Sequence, residues 1–516
     1  MPGSEGTEAR LRDLFLRATC LVYFVAFTIA LRQAPALYGR YGLTPLDQAQ
    51  QLLVAQLGSG MAAFDRVPGL FWLWPSDDAL RWVALAGMGL AFAGMLGLHH
   101  ALGYGLMWLF YLSFCHAGQL WHGFGWETML LETGVLCVFS APVLSLRVRP
   151  VAPERWPSPD RLLRWLRCWL LFRLMFGSGM IKWRGDPCWR ELSCLQTHFE
   201  TQPNPHPLSP FFHHLPAPLL EGGLLFNHFV ELVLPFFLLF SQTRNLAVAG
   251  TILFQIFLIL SGNLAFFNWL TIAVALGCVE PGRWPIPARP ALAAVDALPL
   301  RRWITAALVL FVAVKSVEPV KNLLSEEQRM NQSYDALHLV NSYGAFGSVS
   351  TTRPELVIEG SAEEQPKTWK EYVFPCKPGP VDRRPCWVTP YHLRLDWQLW
   401  FAAMGGVERY PFVVHMVWKL LHNDPGLLFL IEENPFPDRP PTWIRVRRFR
   451  YRFTASSPAW WERELVGTWL RPVRREDTVL LQELARRGWE DRLAPGSWEE
   501  AEVPDAAVLG TQRNSD

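Results

Sequence analysis

The feature that most limits what this chain can become is the gathering of its apolar residues into long runs over its first three-fifths. Soluble proteins of similar length spread such residues over many short elements. Runs approaching or passing about 18 apolar residues read as helices that cross a bilayer, because a helix satisfies its own backbone polar groups where no water can. Half of the 516 residues are hydrophobic and only 18% are charged. The expected fold is therefore a polytopic α-helical membrane bundle followed by a mixed, strand-rich soluble domain. A net charge of +2 gives no electrostatic basis for binding nucleic acid, and 25 Trp with 33 Phe suit the interfacial belts of a membrane protein. No small-residue cleavage motif follows 14–31, so the first helix is expected to remain as a signal anchor.

About nine spans fit the length criterion: 14–31, 80–98, 102–121, 128–145, 165–182, 224–240, 246–260, 264–279 and 303–318. Lys and Arg in short loops set orientation. Arg147, Arg149, Arg155, Arg161 and Arg164 follow the fourth span, and Arg283, Arg289, Arg301 and Arg302 follow the eighth. Placing both groups in the cytoplasm is consistent with nine spans and a cytoplasmic N-terminus. It puts 32–79, 183–223 and everything past 318 on the far side.

Beyond Asn322 the pattern changes. ELVIEG at 355–360, KEYVFPC at 370–376 and IRVRRFRYRF at 444–453 are β-branched or aromatic and partly alternating, with helical patterns at 392–404 and 412–422. The expected division is a transmembrane domain over 1–318, a far-side β-rich domain over 319–491 and a disordered tail over 492–516. The alternation of Arg445, Arg447, Arg448, Arg450 and Arg452 slips between Arg447 and Arg448, which predicts a bulge. That stripe reads as a solvated strand face, with acidic lipid headgroups or a client protein as the alternative. NSYGAFGSV at 341–349 reads as a tight turn between strands.

Several segments are long and chemically unusual: GWETMLLETG at 125–134, LLFRLMFGSGMIKWRGDPCWREL at 170–192, HFETQPNPHPLSPFFHHLP at 198–216, HLVNSYGAFGSV at 338–349 and RRPCWVTPYHLRLDWQLWFAAM at 383–404. In these the chain resembles the lipase maturation factor family. The resemblance implies a chaperone-like protein of the endoplasmic reticulum membrane that assists the folding and assembly of secreted lipases. A bacterial source would place it in the plasma membrane instead. Residues 181–189 are faintly similar to the membrane region of vitamin K-dependent γ-carboxylase, where a lysine at such a place is catalytic.

Five of the nine cysteines, at 20, 115, 137, 168 and 278, fall within or beside apolar spans and read as small core residues. Cys188, Cys194, Cys376 and Cys386 all land on the far side, which is oxidising in either compartment. Local Cys188–Cys194 and Cys376–Cys386 disulfides are expected, with cross-pairing between the two loops as the rival. No C-x-x-C occurs, so any redox role would need a recruited thiol oxidoreductase.

Charges deep in a membrane are costly and usually paired. Arg173 and Glu231, at matching depth in neighbouring spans, are expected to form an intramembrane ion pair. Glu127 and Glu132 enter the fourth span near His116 and His122, as a polar seam or as part of a site. Lys182 follows Gly177 and Gly179 and reads as a snorkelling lysine beside Trp183; a desolvated base is the alternative. His198, His206, His213 and His214 match no common zinc spacing, and the prolines among them favour an extended path. Asn331 opens a glycosylation sequon.

The leading expectation is a non-enzymatic maturation factor with a client lipase or other secreted protein and membrane lipids as partners, and no cofactor or metal. The first alternative is a membrane enzyme built on Lys182, Glu127 and Glu132; the second is a transporter organised around Arg173 and Glu231. G-x-S-x-G, H-E-x-x-H and P-loop motifs are absent, against a lipase, zinc protease or nucleotide-driven pump.

Overall fold

A computed structural model describes residues 2–142, 160–282, 299–455 and 458–498. Arg147, Arg149, Arg155, Arg283 and Arg289, which set the expected orientation, lie outside the described residues, as does most of the expected tail.

Each of the nine expected spans overlaps a helix, 128–145 as far as the described residues go: Pro2–Tyr38, Asp77–Met95, Ala101–Ala117, Gly125–Ser140, Asp160–Arg184, Ala217–His228 continuing to Phe237, Arg244–Ser261, Phe267–Leu276 and Pro299–Lys315. Among the described residues four helices are long and apolar enough to cross a membrane unaided: Thr7–Tyr38, Ala217–Phe237, Arg244–Ser261 and Trp303–Leu324. Phe267–Leu276 has only 10 residues, about 15 Å at 1.5 Å per residue, roughly half a bilayer core. Asp160–Arg184 has the length but carries too many charges. The N-terminal region is thus helical with several apolar spans.

Local chemistry sets the helix ends. Ser76 caps the second of these helices by accepting from the Ala79 N–H at 3.1 Å, and His100 Nδ1 caps the third by accepting from Gly103 N–H at 2.8 Å. Small residues set the close crossings: a Cβ on Gly87 would meet the Phe27 ring, and one on Gly94 would meet Cys20 Sγ. Phe229–Val233 is a π-turn inside the sixth segment. Pro235 lacks an N–H and its ring crowds the carbonyl four residues back, that of Glu231, so the chain widens by one residue there.

The C-terminal region holds a four-stranded antiparallel sheet, β1 (Arg353–Ser361), β2 (Lys370–Glu371), β3 (Trp443–Phe453) and β4 (Trp461–Val473), in the order β2-β1-β3-β4. β2 keeps only two residues of the longer strand expected at 370–376. Register shifts between β3 and β4 fall at Ile444/Val446, Val446/Arg447 and Arg448/Phe449, on either side of the expected slip, while Arg447 and Arg448 themselves pair in register. The expected helices appear as Arg394–Met404 and Phe412–Leu421.

Two expectations for the loops are corrected. Residues 341–349 do not form a turn between strands; they run along the Asp160–Arg184 helix, where Gly177 faces the Tyr343 carbonyl and Gly185 faces that of Gly347. Gly177 on the helix and Gly185 just past its end let backbone meet backbone, and Asp186 N–H donates to Gly347 O at 2.9 Å. The Pro-rich loop is extended only in part: Pro203, Pro205 and Pro207 lie in the non-helical stretch 202–208, but the rest is not extended. It folds into short helices, Pro187–Arg190, Leu195–Thr201 and Ser209–His213, with Pro187 and Pro210 in first turns, where a missing N–H costs nothing.

One apolar core runs from Leu11 in the first helix to Trp489 near the C-terminus. Helices Arg394–Met404 and Phe412–Leu421 join the membrane helices to the sheet: Trp397 packs edge-on to Trp126, and Phe412 to Trp121.

Candidate functional site: buried ion pairs between bundle and sheet domain

The five ionisable residues singled out in the bundle, Glu127, Glu132, Arg173, Lys182 and Glu231, fall into three separate centres. Glu132 and Arg173, both buried, form a salt bridge. Arg173 Nη1 also donates to Asn341 O, while the second Glu132 oxygen accepts from Asn341 N–H at 3.1 Å, from its Nδ2 at 3.2 Å and from the Tyr343 hydroxyl at 2.8 Å. Lys182 Nζ lies 2.6 and 2.7 Å from the two oxygens of Glu231 and 3.1 Å from Asn227 Oδ1, with the Trp189 ring 5.1 Å away. Glu127 Oε1 accepts from Arg394 at 2.8 Å and from the Trp126 indole at 3.0 Å, while Oε2 accepts from the Tyr111 hydroxyl.

The expected Arg173–Glu231 pair is therefore corrected: Arg173 binds Glu132, and Glu231 binds Lys182. Helical geometry gives the reason. Arg173 and Lys182 are nine residues apart on one helix, which at about 100° per residue puts them on opposite faces. Matching depth was the wrong guide; face decides the partner. The π-turn presents Glu231 to Lys182 from the other side. The snorkelling expectation is corrected with it, since Lys182 is buried and its ammonium is turned to Glu231 rather than to water.

The same arithmetic separates the supposed catalytic group. Glu127 and Glu132 lie about 140° apart around their helix, and Lys182 has a third set of partners. A 540 Å³ cavity lined by Tyr38, Arg40, Asp47, Asp77 and Arg492, among others, contains none of the three. Among the described residues Cys115, His122 and Glu127 alone group closely enough to share a metal ion. The Arg394 guanidinium already occupies Glu127, so that donor set does not suit a cation. The four loop histidines face different partners. His198 meets Phe346, His206 meets Trp387, His213 Nε2 lies 3.6 Å from Glu200, and His214 contacts Pro210 O.

Two further centres, not anticipated from the sequence, seat the sheet on the loops. Arg353, fully buried at the start of β1, donates to the carbonyls of Glu200, Gln202 and Pro203 and pairs with Glu355 at 2.7 Å; Lys377 reaches the other Glu355 oxygen at 3.0 Å. Asn263 donates to Cys386 O at 2.9 Å and accepts from the N–H groups of Val388 and Thr389 at 2.9 and 3.1 Å. Glu200 accepts from Phe453 N–H at 2.7 Å, and burial pushes its carboxyl above the usual range. Arg394 sits in the unusual string LRLDWQLW at 393–400, the one sequence signal that marks it.

Cys188 and Cys194 lie at disulfide distance with Cα atoms 4.8 Å apart, as do Cys376 and Cys386 at 5.4 Å. Asn331 is exposed in a left-handed conformation, φ 53°, and its Oδ1 accepts from Gly344 N–H at 3.3 Å. In the arginine stripe Arg445 and Arg447 grip the buried Glu359 at 2.6 and 2.5 Å, Arg448 donates to Gly405 O, and Arg450 faces Glu464 at 3.4 Å. It is largely an internal clamp.

Fold and ion pairs together define an integral membrane protein whose helical bundle is locked to a strand-containing C-terminal region. The Lipase maturation factor transmembrane domain matches residues 10–285, and the Lipase maturation factor C-terminal domain matches 339–471. Lipase maturation factor 1 of Bos taurus is 38% identical over 92% of this chain and 90% of its own length, and that of Homo sapiens is 38% identical over 94% and 91%. Lipase maturation factor 2 of Xenopus tropicalis is 28% identical over 98% of the chain and 88% of its own. The chain belongs to the lipase maturation factor family. No solved structure matches it significantly.

Proposed function

We propose that the protein is a membrane-anchored maturation factor that assists the folding and assembly of secreted lipases. The observation that carries this reading is the pair of family matches spanning both halves of the chain, with 38% identity to relatives named for that role. The bundle's chemistry supports it, because Glu127, Glu132, Arg173, Lys182 and Glu231 are all engaged in buried pairs that hold shape. A rigid platform suits a holder of clients better than a carboxylase-like base or a transport pathway.

In this reading nine helices span the membrane, the N-terminus is cytoplasmic, and everything past the ninth span lies on the far side. The membrane is the endoplasmic reticulum in a eukaryote or the plasma membrane in a bacterium. The units are 1–318, 319–491 and a tail from 492. Cys188–Cys194 and Cys376–Cys386 are disulfides of the oxidising side, Asn331 is open to glycosylation in a eukaryotic host, and a separate thiol oxidoreductase handles client disulfides.

The surface best suited to a client lies where the Pro-rich loop meets the 376–391 segment. Phe211 is 62% exposed and Trp387 61%, and His206 touches the Trp387 ring at 5.0 Å. Exposed aromatics held on a rigid frame are effective anchors for protein partners. The test coexpresses a secreted lipase with wild type, with Phe211→Asp and with Trp387→Asp. The expected result is unchanged amounts of membrane protein, loss of lipase recovered in pull-down, and a several-fold fall in secreted lipase activity. Full activity from both variants would remove this surface, and full activity without the protein would remove the function.

A further inference from the structure

The loop between the first two helices of the bundle carries a feature that client binding does not use. Residues 48–64 contain no Asp, Glu, Lys, Arg or His, yet most of them lie at the surface. They form the Leu46–Leu57 and Gly60–Arg66 helices, capped by Gly58 in a left-handed conformation at φ 78° and by Ser59, whose side chain accepts from Ala62 N–H at 3.1 Å. The inner face is anchored. Leu46, Ala63 and Phe71 are buried, and Asp47 pairs with Arg492 at 2.8 Å. The outer face presents Leu52, Leu57, Met61, Phe64, Leu73 and Trp74 with nothing over them, Met61 at 71% exposure and Leu73 at 85%.

We propose that residues 46–74 form a monotopic element that lies in the headgroup and acyl boundary of the bilayer, with this outer face turned into lipid. Three placements on the fold select lipid over a protein partner. Entry and exit of the loop sit side by side at the ends of membrane helices, since Arg40 N–H donates to Asp77 Oδ1 at 2.7 Å. The returning chain then docks low on the outside of the bundle: Leu70 N–H donates to Ser113 Oγ at 3.0 Å, and the Phe71 and Phe114 rings are 5.1 Å apart. Ser113 and Phe114 precede the Ala117 end of their helix by about one turn, so Leu73 and Trp74 stand at the depth where helices leave hydrocarbon. The exposed face is also continuous with the membrane surface. Leu73 and Trp74 lead directly into the exposed Trp82 and Leu85 of the Asp77–Met95 helix. Apart from Asp47 at one end and the exposed Asp65 and Arg66 at the other, the two helices are uncharged, and amphipathic helices tethered at that level bind by burying apolar side chains among lipid tails. The inference needs only the membrane character of the bundle and stands apart from the client reading.

The test places an environment-sensitive fluorophore on Met61→Cys and Leu73→Cys, with Thr468→Cys on β4 as the water-exposed reference and unsubstituted protein as the labelling blank. Full-length protein is reconstituted into phosphatidylcholine vesicles with or without lipid carrying a quencher at a shallow or a deep acyl position. Probes at 61 and 73 should emit to the blue of the probe at 468 and lose roughly half their intensity to the shallow quencher, with less to the deep one. Emission at 61 and 73 matching that at 468, with no quenching, would overturn the proposal. So would protection of the two positions only when a secreted lipase is added, which would assign the loop to a client instead of lipid.

Discussion

Both oxygens of Glu132 are claimed, one by Arg173 and the other by Asn341 and Tyr343, so neither charge can be left alone cheaply. Removing one partner of a buried pair leaves an uncompensated charge, at a cost of about 3–5 kcal/mol. Arg173→Ala and Glu132→Ala should each lower thermal stability in detergent strongly, and the double variant should lose far less than the sum. A cycle between Arg173 and Glu231 should show coupling near zero; coupling there as large as with Glu132 would contradict the assigned pairs. Asp396 gives a pH-dependent case outside the membrane. Burial pushes its carboxyl up to about 6, although the Cys376 and Lys377 N–H groups donate to it at 2.7 and 2.8 Å and pull the other way. A folded pKa above the unfolded value means that the folded state holds the proton longer. Asp396 therefore contributes most below about pH 4, and this contribution is lost as pH rises to about 6. Asp396→Asn keeps an acceptor for both N–H groups and cannot ionise. Between pH 4 and 7 wild type should weaken relative to this variant, on the order of 3 kcal/mol. Parallel unfolding profiles would refute the assignment.

The Asp160–Arg184 helix shows which parts of an element can be read ahead of its structure. Its apolar length and its charges were plain in the sequence, because hydrophobicity is a local property. The partners of those charges were not, because they depend on which neighbour faces each side. The glycines carry the most information about packing. Gly177 and Gly185 mark where the 341–349 segment lies flat on the helix, and pattern reading instead gave that segment a turn of its own. A Cβ on Gly185 would stand 2.0 Å from the Gly347 carbonyl, which is backbone and has little room to yield. Gly185→Ala should destabilise by about 1–3 kcal/mol and loosen 341–349, read as faster hydrogen exchange across that segment. Gly222→Ala, with open space around its Cβ, is the control.

Division into a membrane bundle and a strand-containing region was legible from periodicity alone. What could not be read was that the two share one core and exchange their buried charges. Arg394 needs Glu127 and the Trp121 carbonyl, and Arg353 needs three carbonyls of the Pro-rich loop. Residues 339–498 expressed alone should therefore fail to give a cooperative unfolding transition, whereas coexpression with 1–338 should restore a stable complex. A well-folded isolated fragment would show that these contacts are incidental.

Glu127 and Arg394 are 267 residues apart in sequence. At about 5–20 residues per second, the helix carrying Glu127 is made roughly 15–50 s before its counter-charge leaves the ribosome. For that interval the nascent chain carries a carboxylate at the edge of the membrane with no arginine to meet it. Completion of synthesis thus becomes an electrostatic event, and a truncated chain would announce itself to quality control by an acid left bare.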